Sequence, residues 1–144
     1  MKISIGSDHG GYHLKEKIIT HLKTKNYSII DHGCYNNESC DYPDYGKATA
    51  ESVALKNSEF GIVICTTGIG ISISANKVKG IRAGLCWNEK TAEMARKHNN
   101  CNVIAIGAAN QDETEAIKII DKFLNTPFEG GRHERRVNKI MTIE

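Results

Sequence analysis

Five short strand-like runs, each followed by a stretch of helical periodicity, constrain the fold of this chain more than any other sequence feature. Four of the runs are rich in isoleucine and valine, which is typical of strands buried on both faces of a sheet. The predicted strands are Lys2–Gly6, Tyr27–Asp31, Phe60–Cys65, Ile81–Leu85 and Asn102–Ile106. The predicted helices are Gly11–Lys25, Tyr45–Lys56, a short one that begins near Gly70, Glu89–His98, one that begins at Asp112 and is closed by Pro127, and Gly131–Ile143.

This alternation predicts an α/β protein with a parallel, doubly wound sheet of five strands, helices on both faces and a C-terminal helix. The length of 144 residues suits a single domain spanning 1–144. Asn88 and Asp112 carry side chains that favour helix N-caps, and Glu115 completes a capping-box pattern with Asp112.

Composition and charge exclude several classes of function. The net charge is +2 with both signs interleaved, and the sequence has no basic stripe, so we expect no nucleic-acid partner. No apolar run approaches ~20 residues, and the N-terminus leads directly into a strand pattern, so we expect neither a membrane span nor a signal peptide. The five cysteines are odd in number, include no C-x-x-C and match no zinc spacing, which predicts reduced thiols in a cytoplasmic protein. They are Cys34, Cys40, Cys65, Cys86 and Cys101.

The run 60–77 is the most informative segment for function. It is predicted to be a buried strand, a tight turn and the start of a helix, with Cys65 as the last strand residue. Backbone N–H groups at such a helix start can bind an anion. The segment is not a nucleotide motif, because Ile73 stands where a dinucleotide fingerprint needs glycine, and no Gly-Lys-Ser/Thr is present. Cys65 is then either a buried structural cysteine or a thiolate that acts as a general base.

Two other loops are expected at the same edge of the sheet, where ligands bind in open parallel sheets. One follows the first strand and contains Asp8 and His9, and the other is the predicted loop His32–Asp44. Asp8 either caps its turn or contacts a ligand, while Gly10 and Gly11 favour a ligand because they let the backbone approach it closely. The remaining histidines of this half of the chain, His13, His21 and His32, are expected on the surface.

The C-terminal half contains two further candidates for functional residues, a pair of arginines and a histidine. Arg132 and Arg136 share one face of the last helix, which is either an ordinary solvated face or a binding site for a phosphate dianion. His98 ends the helix before the fifth strand, so it belongs to the amino edge of the sheet, about a strand length (~17–20 Å) from Cys65. A catalytic His98 would therefore have to serve the site of a neighbouring subunit. Otherwise His98 is a histidine at a helix C-terminus, where the helix dipole favours it.

Several motifs together resemble the type B ribose-5-phosphate isomerase family, and the resemblance covers almost the whole chain in order. The wider family includes allose-6-phosphate and galactose-6-phosphate isomerases. The motifs are Gly6–Gly11, Asp41–Tyr45, Cys65–Asn76, Arg96–Asn100 and Glu129–Arg136.

The resemblance implies a Rossmann-like three-layer α/β/α fold and a homodimer, sometimes a tetramer, that shares active sites between subunits and needs no metal or cofactor. It also implies interconversion of D-ribose 5-phosphate and D-ribulose 5-phosphate in the non-oxidative pentose phosphate pathway. In this resemblance Cys65 is the base that moves a proton between C2 and C1 through a cis-enediolate. The enediolate oxygens would lie in an anion hole formed by Thr66, Thr67, Gly68, Ile69 and Gly70.

The remaining roles implied by the resemblance concern ring opening and the phosphate. His98 resembles the acid that opens the furanose ring, assisted by Asp8 and Thr67. Asn99 of the partner subunit resembles a ligand of the sugar hydroxyls. The residues that resemble the phosphate ligands are His9, Arg132 and Arg136, together with a tyrosine of Asp41–Tyr45.

Thr66 departs from the family pattern, which has glycine after the catalytic cysteine. This departure leaves the preference between pentose and hexose phosphates open, so a hexose-6-phosphate isomerase is an alternative. Some family members carry the base on a glutamate of this loop, but Gly70–Ser72 contains no acid here. A non-catalytic sugar-phosphate sensor is the alternative from another class, and it would bind ligand with Cys65 dispensable.

Overall fold

The computed structural model describes residues 1–143, and within them strands and helices alternate as the sequence pattern predicts. The strands are β1 (Lys2–Ser7), β2 (Ser28–Asp31), β3 (Phe60–Cys65), β4 (Ala83–Leu85) and β5 (Val103–Gly107). The helices are α1 (Tyr12–Thr24), α2 (Tyr42–Ala54), α3 (Ile69–Asn76), α4 (Glu89–Asn99), α5 (Glu113–Leu124) and α6 (Arg132–Met141).

All strand pairs of the sheet are parallel, in the order β2-β1-β3-β5-β4. Ser7 pairs with Ile64 across β1 and β3, and Cys65 pairs with Gly107 across β3 and β5, so the carboxyl ends of these three strands are level. From β1 the chain proceeds to β2 on one side and later to β3 on the other. This reversal creates the crevice in which doubly wound sheets bind ligands.

The two faces of the sheet carry separate cores. In β3, Ile62 and Ile64 pack with the layer formed by α1, α4 and α5, whereas Val63 and Cys65 pack with α2 and α3. Each fully buried aliphatic side chain of this kind contributes about 1.5–3 kcal/mol to folding. The alternation confirms the predicted three-layer, doubly wound architecture and shows that Cys65 faces the α2 and α3 layer.

The predicted caps are confirmed. Asn88 Oδ1 accepts a hydrogen bond from the Thr91 N–H at 2.8 Å, and Asp112 Oδ1 accepts one from the Glu115 N–H at 2.8 Å. Both caps form reciprocal capping boxes, which satisfy N–H groups that have no partner inside the helix.

Two predicted starts of helices or strands were wrong by two or more residues. α2 begins at Tyr42 rather than Tyr45, because Pro43 lies in the first turn, where its missing N–H costs nothing. The loop expected over His32–Asp44 therefore ends at Asp41. β4 begins at Ala83 rather than Ile81, since the Arg82 N–H donates to the Asn102 side chain at 2.8 Å instead of continuing the ladder. α3 begins at Ile69, in agreement with the predicted start near Gly70.

The expectation for the three histidines was correct only for His13, which is exposed. His21 is half-buried, with Nε2 lying 3.0 Å from Asp121 Oδ1. His32 is half-buried as well, and its Nε2 lies 3.2 Å from Ser4 Oγ. Both rings are covered because their chain segments pack against a neighbouring element, which the local sequence does not reveal.

The last helix, α6, follows two glycines with positive φ, Gly130 and Gly131. It buries His133 and Val137 and lies against α4. None of the helices in residues 1–143 combines the length and hydropathy that crossing a bilayer requires.

Candidate active site

Cys65 is the last residue of β3 and its side chain is 4 % exposed. Its Sγ accepts a hydrogen bond from the Gly68 N–H at 3.1 Å, so a backbone donor at the start of α3 points at the sulfur. Within residues 1–143 no backbone N–H donates to the sulfur of Cys86 or Cys101. Burial raises the pKa of the Cys86 thiol to about 12 and that of Cys101 to about 11. Cys65 therefore differs from the structural cysteines by the group that faces its sulfur.

The turn that follows Cys65 is locked to the loop after β5. Gly68 is the N-cap of α3 with φ of 77°, and a Cβ there would lie 2.9 Å from the Gly107 nitrogen and the Ile106 carbonyl carbon. The carbonyl groups of Cys65 and Thr66 accept the N–H groups of Ala108 and Ala109 at 2.9 and 3.0 Å. Only glycine fits this φ and this space. No local pattern in the sequence predicts that the loop after β5 supports this turn.

The same turn leaves donors available. The Ile69 N–H donates to Thr67 Oγ1 at 3.2 Å, whereas the N–H groups of Gly70 and Ile71 have no protein acceptor within residues 1–143. These two amides open the N-terminal turn of α3, where the partial positive charge of the helix is concentrated. The turn can thus bind an anion beside the Cys65 sulfur.

The loop after β1 forms the opposite wall. Asp8 is buried, and its Oδ1 accepts the Gly11 N–H at 3.1 Å, so the capping interpretation of Asp8 is confirmed. A Cβ on Gly10 would lie 2.3 Å from Thr66 Oγ1. The Thr66 side chain therefore occupies space that is free only because residue 10 is glycine.

His9 is exposed at this rim, and its ring orientation is set by the loop before α2. The Cys40 N–H donates to His9 Nδ1 at 3.2 Å. A neutral His9 therefore carries its proton on Nε2, which is left as a donor toward a ligand. No pattern in the sequence indicated this role of Cys40.

Tyr42 completes the rim. A Cβ on Gly70 would lie 2.6 Å from Tyr42 Cζ and 2.9 Å from its hydroxyl, so the phenol lies directly over the start of α3. Of the two tyrosines in Asp41–Tyr45, this contact favours Tyr42 as the one that belongs to the site. The early start of α2 is what places this side chain there.

A second group of predicted site residues lies at the other end of the sheet. His98 and Asn99 end α4, just before β5 begins at Val103, whereas Cys65 pairs with Gly107 at the opposite end of β5. Four residue steps along a strand span about 13 Å. His98 therefore lies out of reach of the Cys65 of its own chain, as the sequence predicts.

A buried arginine holds the end of α4. The Arg96 guanidinium stacks 4.8 Å from the Phe60 ring and donates to the carbonyl groups of Cys101 at 2.6 Å and Thr126 at 3.2 Å. These contacts bind the last turn of α4 to β3 and to the segment after α5. They fix the backbone that carries His98 and Asn99.

His98 also contacts α6. Its ring stacks on that of His133, with centroids 4.1 Å apart and planes inclined by 10°. Burial, then the charge of His98, lowers the pKa of His133. Arg132 and Arg136 lie on the exposed surface of α6 beside this buried residue. The predicted phosphate ligands are thus not brought together in one chain, because the arginines lie at the His98 end and His9 lies at the Cys65 end.

The chain matches a family model described as Ribose/Galactose Isomerase over residues 3–140. The chain belongs to this family. A putative sugar phosphate isomerase of Rickettsia bellii is 49 % identical over 138 residues, which is 96 % of each protein. The Clostridium thermocellum ribose-5-phosphate isomerase B structure is 52 % identical, with a TM-score of 0.98, covering 99 % of this chain and 97 % of the other. The Mycoplasma genitalium ribose-5-phosphate isomerase B, solved with ribulose-5-phosphate bound, is 45 % identical with a TM-score of 0.94, covering 99 % and 95 %.

In this member of the ribose/galactose isomerase family the predicted site residues form two groups. The group around Cys65 consists of Asp8, His9, Thr66, Thr67, Gly68, Ile69 and Gly70, to which the structure adds Tyr42. The group at the amino edge consists of His98, Asn99, Arg132 and Arg136.

Proposed function

We propose that this protein is an aldose–ketose isomerase that interconverts D-ribose 5-phosphate and D-ribulose 5-phosphate. The observation that carries the proposal is the Cys65 sulfur facing the Gly68 N–H beside the free amides of α3. Membership of the family and the relative with bound ribulose-5-phosphate support the choice of a phosphorylated pentose.

The chemistry starts at Cys65. Its thiolate removes the proton from C2 of the open-chain aldose, and the electron pair moves onto the C1 carbonyl to give an enediolate. The proton of the C2 hydroxyl passes to O1, and the thiol returns the abstracted proton to C1, so that the C2 carbonyl of the ketose forms. The amides of Gly70 and Ile71 stabilise the enediolate oxygen, and preorganised donors of this kind contribute about 2.7–4 kcal/mol each in comparable sites. No metal ion or cofactor takes part in these steps.

The amino-edge group acts on the substrate of a second subunit. In a homodimer with shared sites, the partner subunit's His98 donates a proton to the ring oxygen, assisted by Asp8 and Thr67, and the partner subunit's Asn99 binds a sugar hydroxyl. The partner subunit's Arg132 and Arg136 join His9 on the phosphate. The separation of the two groups by the length of β5 supports this assembly.

The free thiols of this chain are consistent with a reducing compartment. All five cysteines are free, and the proposed mechanism needs Cys65 reduced. We place the enzyme in the cytoplasm on this basis.

Solvent deuterium exchange into the sugar phosphate tests the role of Cys65. Replacing Cys65 with Ala should abolish exchange and isomerisation while the circular dichroism spectrum stays unchanged. Cys86→Ala is the matched control, because Cys86 also follows a strand at this edge but is buried with a raised pKa. Full activity of Cys65→Ala would contradict the proposed base, whereas a wild-type protein that binds sugar phosphates without converting them would favour a sugar-phosphate sensor.

A substrate panel tests the sugar. The proposal predicts a higher kcat/KM for ribose 5-phosphate than for allose 6-phosphate or galactose 6-phosphate. The reverse order would assign the protein to the hexose branch of its family.

A further inference from the structure

Three potential metal-binding side chains converge where α6 meets the end of α4. They are His98, Glu129 and His133, and one ligand atom from each lies within 4.8 Å of the other two. His98 lies in the last turn of α4, Glu129 lies just before the two glycines that precede α6, and His133 lies in the first turn of α6. The cluster is outside the Cys65 group and shares only His98 with the proposed mechanism.

The buried member of the cluster has an unsatisfied nitrogen. His133 is 4 % exposed, and its Nε2 has no hydrogen-bond partner within residues 1–143. Glu129 Oε1 is the carboxylate oxygen facing it, at 3.6 Å, which is too long for a hydrogen bond. Leaving a buried polar atom without a partner costs free energy. A bound group that residues 1–143 do not supply, such as a metal ion, would satisfy this nitrogen.

The backbone holds the carboxylate and the buried imidazole in a fixed relation. The Glu129 N–H donates to the Lys97 carbonyl at 3.1 Å, next to His98 on α4. The chain then turns through Gly130 and Gly131, with φ of 71° and 55°, and places His133 in the first turn of α6. Glu129 is thus positioned by its main chain while its side chain, 53 % exposed, stays free to move.

We infer that His98, Glu129 and His133 form a binding site for a transition-metal ion of the zinc type, and that occupancy inhibits the enzyme. Two imidazole nitrogens and one carboxylate oxygen are a donor set that zinc accepts, whereas Mg²⁺ and Ca²⁺ require oxygen ligands. Ligands ~2.0–2.1 Å from a tetrahedral zinc ion lie about 3.4 Å from one another. The present spacing therefore needs shifts of about 1 Å.

Binding requires one ring to turn. The imidazoles of His98 and His133 are stacked, so their in-plane lone pairs do not converge on one point. The His133 ring is enclosed, whereas His98 is half-buried and its ring forms no hydrogen bond within residues 1–143. His98 is therefore the ring that rotates, with His133 as the fixed ligand and Glu129 as the adjustable one.

Inhibition follows from that rotation and rests on the proposed function. A His98 nitrogen bound to zinc cannot donate a proton to the ring oxygen of a substrate, so ring opening stops. Metal binding itself does not depend on the proposed function, and the two can fail separately.

The binding test is a calorimetric titration of zinc chloride into the full chain after treatment with EDTA. We expect one ion per chain at this site, with affinity lowered about tenfold or more by Glu129→Gln and by His133→Gln. Glu134→Gln is the matched control, because Glu134 is an exposed carboxylate of the same helix outside the cluster. Glu129→Gln changes an exposed side chain, so it remains informative if His133→Gln does not fold.

Cobalt distinguishes this site from the free thiols. Cobalt chloride should give a spectrum without a thiolate charge-transfer band. A thiolate band, or equal zinc affinity in wild type and Glu129→Gln, would overturn the site.

The activity test is an isomerase assay in zinc-buffered solution. Glu129→Gln should match the wild type in EDTA and lose at least tenfold in zinc sensitivity. Zinc binding that depends on Glu129 without inhibition would retain the site and overturn the inhibitory role. An enzyme inactive on every sugar phosphate even in EDTA would contradict the proposed function but leave the calorimetric result standing.

Discussion

The two ends of the sheet carry different kinds of machinery. At the carboxyl end, the sulfur of Cys65 and the anion-binding turn depend on backbone N–H groups held by neighbouring strands. At the amino end, His98, Arg132 and Arg136 are side chains at the surface of two packed helices. The first end is preorganised within one chain, whereas the second presents groups outward, which suits the completion of a site in another subunit.

The contrast explains where substitutions should act on chemistry and where on binding. Backbone donors locked by sheet hydrogen bonds cannot relax when the transition state forms, so they stabilise charge efficiently. Long arginine side chains lose rotamer entropy when they bind, and their net contribution appears mainly as affinity.

Replacing Arg136 with Gln should have the largest effect, and this effect should be on substrate binding rather than on chemistry. We expect KM for ribose 5-phosphate to rise about 10- to 100-fold with a small change in kcat, because a charge-assisted bond to phosphate contributes about 1.5–3 kcal/mol. Arg135→Gln is the control, since helical geometry turns Arg135 away from the buried His133 and Val137 face. Steady-state kinetics measure the difference, and equal KM values for the two variants would contradict a phosphate role for Arg136.

A double-mutant cycle tests the carboxyl end at Gly10 and Thr66. Gly10→Ala places a Cβ 2.3 Å from Thr66 Oγ1, so we expect kcat/KM to fall about tenfold, equivalent to about 1.4 kcal/mol. Thr66→Gly should restore most of that loss, because it removes the atom that clashes. Additive effects of the two substitutions would mean that Thr66 does not set the space beside the Cys65 turn.

The smallest effect concerns stability rather than chemistry. Burial lowers the pKa of His32, and this outweighs the opposing charge of Asp31. The unfolded chain then binds more protons than the folded one near pH 6.5, so the free energy of unfolding falls as the pH decreases through that value.

Urea titrations at pH 7.5 and pH 5 measure the effect. His32→Gln should reduce the loss of stability between the two pH values, while His13→Gln, at an exposed position, should leave it unchanged. A larger pH dependence in His32→Gln than in the wild type would show that the sign is wrong.

The sheet, its layers and the Cys65 turn could be predicted from the sequence because they follow from local patterns. Alternating Ile and Val runs predict strands, and the glycines and hydroxyl residues after Cys65 predict a tight turn at a helix start. The position of His98 relative to Cys65 also followed, because a helix that leads into a strand must end at the amino edge of the sheet.

The remaining features depend on contacts between distant segments. Nothing local to Cys40 indicates that its N–H binds His9, and nothing local to His133 indicates that it lies beneath His98. The partnership of Gly10 with Thr66 likewise arises from the pairing of β1 with β3 rather than from either loop alone. The sequence did not distinguish Tyr42 from Tyr45, because the predicted loop His32–Asp44 includes Pro43, although proline is tolerated in a first helical turn.

A mixing experiment tests most directly whether the two ends combine across subunits. Cys65→Ala and His98→Asn chains, each inactive alone, are mixed in equal amounts, dissociated and reassembled. In a symmetric dimer half of the assemblies carry both variants, each with one intact site, so we predict recovery of about a quarter of the wild-type activity. Verified heterodimers that stay inactive would contradict the shared site.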